Sequence, residues 1–234
     1  MALLREQSVE LKEGTLSIRP LTSHAELCSS ELVRRHAPLL AAAASMVGSP
    51  QIRNRGTIGG NIMNAAACAD TVPPLMALGT VLTLSSTSGI RQIPLEDFFL
   101  KPYRTVARPD EILTDIRCAT LPSNARSTFL KLGRRNAVSI ARLSVAAILA
   151  RGRSGTIEDA RIVPGAAFPT WKRVDEAEKM LIGQQPSRSL FAEAGIRVAE
   201  CMIAITGRRW STEYKEPVIP VLVRRALETC AFQP

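Results

Sequence analysis

The residues best suited to chemistry lie between Pro50 and Leu78, in the stretch PQIRNRGTIGGNIMNAAACADTVPPLMAL. At its centre, Thr57-Ile58-Gly59-Gly60-Asn61 places a hydroxyl, two residues without a Cβ and a side-chain amide within five positions. Paired glycines let backbone N–H groups come close to an anion and reach conformations closed to other residues. Asn64-Ala65-Ala66-Ala67-Cys68-Ala69 follows, a run of small side chains that leaves room for a flat or extended ligand. Asp70 ends it with a carboxylate able to accept hydrogen bonds from sugar-type hydroxyls. Arg53 and Arg55, just upstream, would balance phosphate charge. This is the make-up of a dinucleotide loop, although neither G-x-x-x-x-G-K-[ST] nor G-x-G-x-x-G occurs. By spacing alone, a lone Gly-Gly between Thr and Asn reads equally as a tight turn between core elements.

The chain around this stretch has 234 residues, enough for one large domain or two small ones, with 46 % hydrophobic and 22 % charged residues. No apolar run approaches the roughly 18 residues of a membrane span, and Met1-Ala2-Leu3-Leu4-Arg5-Glu6 does not resemble a signal peptide. The expectation is a cytoplasmic protein without a membrane partner. Net charge is +9, and it sits almost wholly in residues 118–234, with 18 Lys+Arg against 10 Asp+Glu. Such a basic half, which includes Arg208 and Arg209, is the footprint of an anionic cofactor, acceptor or protein surface. Nucleic acid is disfavoured, because the arginines are scattered and aromatic residues make up only 4 %. Cys28, Cys68, Cys118, Cys201 and Cys230 are far apart, with no C-x-x-C and no metal spacing to His24 or His36. No metal site and no cluster are expected on this chain, and both histidines read as surface or capping residues.

These residues need positioning elements. Val9 to Leu11 and Thr15 to Leu21 read as a hairpin turned at Glu13-Gly14. Ser23 and Ser30 cap short helices, and a third runs from Leu39 to Val47 behind Pro38. After the glycine stretch, Pro73 opens a short helix that ends at Gly79. Val81 to Leu84 and Ile90 to Ile93 form a second hairpin, and Leu95 to Phe99 a helical turn. Glu111 to Arg117 alternates as a strand, with Ile112 and Thr114 on one face and Leu113 and Asp115 on the other. Leu121-Pro122-Ser123-Asn124 marks a boundary between units spanning 1–120 and 121–234. The second unit opens with strands at Ser127–Leu132, Ser139–Ala150 and Thr156–Pro164. Helices follow at Val174–Ile182, Leu190–Ile205 and Val218–Ala231. Strands followed by helices in two blocks give an α+β fold.

The Ile52–Asn61 segment, together with Asn64-Ala65 and Ala69-Asp70-Thr71-Val72-Pro73-Pro74, resembles the FAD-binding medium subunit of molybdenum hydroxylases. This is the family of carbon monoxide, xanthine, aldehyde and nicotinate dehydrogenases. The resemblance continues through Pro94–Phe99, Asp110–Ile116, Phe129–Arg135, Gly165–Thr170 and Val221–Leu227, nearly the whole chain in order. It implies a p-cresol-methylhydroxylase-like FAD-binding subdomain followed by a flavoprotein C-terminal domain. It also implies an oxidoreductase subunit that passes electrons from [2Fe–2S] clusters through FAD to NAD or another acceptor. The partners implied are an iron–sulfur small subunit and a molybdopterin large subunit, each carrying its own cofactor. No residue of this chain would catalyse the hydroxylation itself.

Carried over residue by residue, the family's FAD contacts fall on Thr57, Ile58, Gly59, Gly60 and Asn61 around the pyrophosphate, and on Asp70. Leu113 matches a residue against the isoalloxazine, and Lys131 a lysine near the flavin ring, where a cation stabilises the anionic reduced form. The chain departs from the family pattern in three places. It carries no Gly-Gly-Thr-Asp-like loop of a first FAD subdomain, it has Arg19-Pro20 in place of a glycine-containing turn, and it has Ser139 in place of an aspartate. The missing half-cradle supports an alternative reading, a non-catalytic scaffold that binds no flavin by itself.

Overall fold

The computed structural model describes residues 8–135 and 138–232; the reading of Met1–Glu6 falls outside them. Strands β1 (Val9–Lys12), β2 (Thr15–Ile18), β3 (Val81–Ser86), β4 (Gly89–Pro94) and β7 (Ile112–Ala119) form one antiparallel sheet in the order β1-β2-β7-β3-β4. Two short strands, β5 (Phe99–Lys101) and β6 (Arg104–Thr105), pair separately. Between β2 and β3 the chain lays down six short helices: α1 (His24–Ser29), α2 (Glu31–His36), α3 (Pro38–Ser45), α4 (Pro50–Arg55), α5 (Ile58–Asn64) and α6 (Val72–Ala77). The second lobe is a three-stranded antiparallel sheet, β8 (Ala125–Leu132), β9 (Leu143–Arg151) and β10 (Ile157–Gly165), with β9 central. Helices α7 (Asp175–Leu181), α8 (Arg188–Thr206) and α9 (Thr212–Phe232) cover it. This is the α+β fold expected. Among the described residues no helix is long and apolar enough to cross a membrane.

Local chemistry explains most of these elements. Ser23 and Glu26 form a reciprocal capping box on α1, and Ser30 accepts from Val33 N–H to start α2. Every residue of β9 except Arg151 is buried, as expected for a central strand covered on both faces.

Tertiary packing overrides local signals in three places. Strand β9 begins at Leu143, not Ser139, because Ser139 serves the preceding loop by accepting from Arg134 N–H. Helix α9 begins at Thr212, not Val218, and runs through Pro217 and Pro220. Its buried face, from Ile219 through Val223 and Ala226 to Ala231, fixes its course despite the lost backbone bonds. Gly195 of α8 makes room, since a Cβ there would stand 2.5 Å from the Pro220 carbonyl oxygen. In β7 the expected alternation breaks at a bulge: Thr83 faces Asp115 but Leu84 faces Leu113. Thr114 is the extra residue, so Leu113, Ile116 and Cys118 are buried and Ile112 is exposed.

The lobes share a core. Phe129, Ala146, Ile148, Val163 and Trp171 of the second half belong to the hydrophobic cluster of the first, and the Trp171 ring lies 4.6 Å from that of Phe99. Phe129→Ala is therefore expected to cost about 3–5 kcal/mol and to lower the stability of both lobes in a single urea transition. Two separate transitions, with only the second displaced, would contradict the shared core.

Candidate flavin site

Two short helices shape the Pro50–Asn64 segment. Pro50 occupies the first turn of α4 behind Ser49, which accepts from Ile52 N–H, and Gly56 ends the helix. Thr57 then caps α5, its Oγ1 accepting from Gly60 N–H at 3.1 Å. The glycine pair is therefore the first turn of a helix, neither the loop nor the tight turn that its composition suggests. Ile58 N–H donates to Thr22 O (3.0 Å), Gly59 N–H to Pro20 O (2.8 Å) and Asn61 N–H to Thr57 O (3.0 Å). The amides of residues 58–61 are thus satisfied within the chain, where free donors for an anion were expected.

The two glycines have separate reasons to be glycine. A Cβ on Gly59 would stand 2.6 Å from Pro20 Cβ, so this residue lets α5 pack against the Pro20 segment. Gly60 is exposed, and the only atom near the direction of its missing Cβ is Thr57 Oγ1 at 3.0 Å. Gly60 leaves open surface on which a ligand can lie. Beside it, Asn61 Oδ1 accepts from Thr71 Oγ1 at 2.8 Å, which orients the amide.

Thr71 leads directly to the centre of the site. Asp70 is buried, and its Oδ2 accepts from Lys131 Nζ at 2.6 Å. Lys131, half-way along the chain on β8, also donates to Met46 O at 2.9 Å. Asp70 Oδ1 is buried without a partner. Burial pushes the Asp70 carboxyl up to about 6, against the downward pull of the Lys131 hydrogen bond and charge. An orphaned buried acceptor fits a ligand that offers ring N–H or sugar hydroxyl donors, and a flavin dinucleotide offers both. The residues present therefore suit one side of FAD.

The other residues singled out by sequence lie in varied settings. Leu113 is buried in the sheet, register partner of Leu84, and belongs to the hydrophobic cluster of the first lobe. Arg53 Nη1 donates to Val47 O and Gly48 O at 3.1 and 3.2 Å, a bracing role in place of phosphate binding. Arg55 is exposed. Cys68 is half-buried, and burial raises its thiol pKa. His24, expected at the surface, is 2 % exposed. Burial chiefly, and the Arg53 charge secondarily, lower its pKa to about 4.

A cavity of about 440 Å³ runs past Met46, Arg53 and Lys131 to Arg135, Val138 and Ser139. Those last three residues also line a larger cavity of about 750 Å³ containing Arg134, Arg142, Trp210, Tyr214 and Lys215, with no carboxylate among the described residues that line it. The Arg142 guanidinium lies 4.8 Å from the Tyr214 ring centroid. Lys215 Nζ donates to Ala166 O at 2.6 Å, and its pKa is lowered by burial and by the charges of Arg142 and Arg209. Sequence reading missed this cluster, whose members span some eighty positions; the basic second half was its only trace. Arg208, singled out there, is neutralised by a two-pronged bond to Glu216.

Removing the lysine tests the buried pair. Lys131→Met is expected to cost roughly 3–5 kcal/mol at pH 8, because it leaves an unpaired buried carboxylate. The cost should shrink at pH 5, below the Asp70 pKa of about 6, where the carboxyl is already protonated. Urea unfolding at the two pH values reads the difference, and an equal cost at both would contradict the assignment.

Comparison with known proteins agrees with this geometry. Residues 4–120 match the FAD binding domain in molybdopterin dehydrogenase, and residues 128–230 match the CO dehydrogenase flavoprotein C-terminal domain. The chain is 30 % identical over 220 residues to the 6-hydroxypseudooxynicotine dehydrogenase complex subunit alpha of Paenarthrobacter nicotinovorans, covering 94 % of this chain and 74 % of that one. It is 33 % identical over 217 residues to the glyceraldehyde dehydrogenase medium chain of Sulfolobus acidocaldarius, covering 92 % and 76 %. Among solved structures, carbon monoxide dehydrogenase from Hydrogenophaga pseudoflava superposes with a TM-score of 0.86 at 30 % identity, over 96 % of this chain and 77 % of that one. The chain belongs to the FAD-binding medium subunits of the molybdenum hydroxylases, a family of oxidoreductase components.

Proposed function

We propose that this chain holds and orients FAD between an iron–sulfur donor on a small partner subunit and an electron acceptor, within a complex whose large subunit carries molybdopterin. The observation that carries this reading is the buried Asp70–Lys131 pair with one carboxylate oxygen left unpartnered. FAD, when bound, supplies reversible two-electron chemistry and can exchange electrons with one-electron centres. Asp70 Oδ1 would accept a hydrogen bond from it, and the Lys131 ammonium would supply positive charge that favours a reduced, anionic flavin. Thr57, Gly60 and Asn61 would line the pyrophosphate, with the buried Ile58 and Gly59 supporting that turn from beneath, and Leu113 would keep an apolar wall on the sheet side. We read residues 1–120 and 121–234 as the two functional units, and the five unpaired cysteines suit a reducing, cytoplasmic setting.

The acceptor in this reading is anionic, NAD or a molecule of similar charge. It would enter the cavity of about 750 Å³ where Arg142 and Lys215 repel one another without a carboxylate, beside Trp210, which is 87 % exposed and available for stacking. A specific observation favours the alternative of a flavin-free scaffold: the amides of residues 58–61 are already bonded within the chain.

Flavin released per purified chain, alone and co-expressed with the partner subunits, separates these readings. One FAD per chain, abolished by Thr57→Val with Asp70→Ala, is the expected outcome, and no flavin under either condition leaves the scaffold. For the acceptor, NAD should quench Trp210 fluorescence saturably, with at least a tenfold loss of affinity in Arg142→Gln. An unchanged titration in that variant would remove the acceptor assignment.

A further inference from the structure

The flavin stretch is held from behind by the segment that leads into α1. Pro20 O and Thr22 O accept from Gly59 and Ile58, His24 N–H donates to Gly56 O at 3.0 Å, and Ser23 bridges Thr57. The His24 side chain turns inward under this contact. A Cβ on Gly56 would stand 3.2 Å from His24 Cδ2, so the turn rests directly on the imidazole. His24 Nδ1 is buried and has no hydrogen-bond partner.

The charges around it favour a neutral ring. Helices α2, α3 and α4 pack against α1. Helix α3 carries no titratable residue, and α4 brings Arg53, whose charge bears on the ring, and the exposed Arg55. On α2, Glu31, Arg34 and Arg35 are exposed, and His36 is half-buried at the last position. On α1 itself, Glu26 is engaged with Ser23 N–H and Oγ, both at 2.7 Å. No hydrogen bond joins a carboxylate to the imidazole among the described residues, and the charge that bears on the ring is the positive one of Arg53.

We infer that His24 is a positioning residue for the flavin stretch: as a neutral imidazole it seats the Gly56–Asn61 turn, and on protonation it unseats that turn. The physical reason is that an imidazolium has two N–H donors to satisfy, and here one nitrogen faces no acceptor while Arg53 repels the charge. The ring then gains by leaving for water, and the bonds from Ile58, Gly59 and His24 part with it. The direction of linkage follows from the lowered value. The seated form takes up the proton only near pH 4 and the open form near 6.5, so seating is complete above 6.5 and is lost as pH falls toward 4. Asp70 works in the opposite sense in the same window, since burial favours its protonated form. The inference relies on the proposed function only for the identity of the ligand, not for the movement.

Amide hydrogen exchange of the intact chain, corrected for intrinsic rates, tests it. Between pH 7 and pH 5 the protection of Ile58 and Gly59 should fall about tenfold or more, while Ile148 and Leu149 in β9 keep theirs. His24→Gln and His24→Phe should abolish the pH dependence, and Asp70→Asn should retain it. An equal fall in both His24 variants, a fall lost in Asp70→Asn, or a parallel loss across β9 would each overturn the inference. If the chain holds flavin, its dissociation constant should rise more between pH 7 and pH 5 in the wild type than in His24→Gln, the rise left in the variant belonging to Asp70. A chain without flavin at pH 7 would count against the proposed function and leave the exchange result to decide this one.

Discussion

The ion pair between Asp70 and Lys131 is the constraint from which the rest of the site is measured. The partners lie 61 positions apart, and their side chains are only 9 % and 8 % accessible. A buried pair of this kind recovers its desolvation cost only if the geometry is good and the remaining donors are used. Lys131 meets that condition by also bonding Met46 O, which ties the end of α3, the approach to α6 and strand β8 to one nitrogen. Asp70 meets it only in part, with one oxygen left over. Hydrophobic residues in this seam would be simpler to accommodate, so stability alone does not explain the incomplete pair.

Positive charge divides into two classes across the molecule. Arg91 is held by Glu111, Arg173 by Glu178 and Arg208 by Glu216, each through more than one hydrogen bond. These pairs hold loops and strands in register, and their charge is cancelled locally. Arg142 and Lys215 instead rest on a ring and a carbonyl, with their charge left outward. The net charge of +9 therefore says less than its placement. The basic character that matters lies in one concave region continuous with the Lys131 cavity.

Much of this was legible in the amino-acid sequence wherever a local signal and the tertiary context agree. Ser23 and Ser30 are caps by type and by geometry, and the two hairpins turn where glycine lies between apolar runs. Asp70 stood out by type at the end of the small-residue run, but Lys131 was legible only through the family resemblance, since nothing local predicts that the two meet. Helix α5 was hidden because Gly-Gly is a poor helix opening; Thr57 as cap and Pro20 as packing partner outweigh that propensity. The Thr114 bulge shifts a perfectly alternating pattern by one residue, which periodicity cannot reveal. His24 looks like an exposed N-terminal helix residue, and only the packing of α4 and Gly56 over its ring buries it.

The shared core has a consequence for biosynthesis. Every residue of α6 is buried, and this helix packs against β9 and β10, which leave the ribosome some seventy positions or more later. Until those strands emerge, the face of Val72-Pro73-Pro74-Leu75-Met76-Ala77 that they cover stays open, and only α3 and the Leu95–Asp97 turn are there to pack on it. The first half therefore cannot finish folding as it is synthesised, unlike a chain of independent beads. Asp70 meets Lys131 only after β8 has emerged, so the buried pair closes as a late event in synthesis. The apolar helix would meanwhile be the segment most in need of shielding by a chaperone.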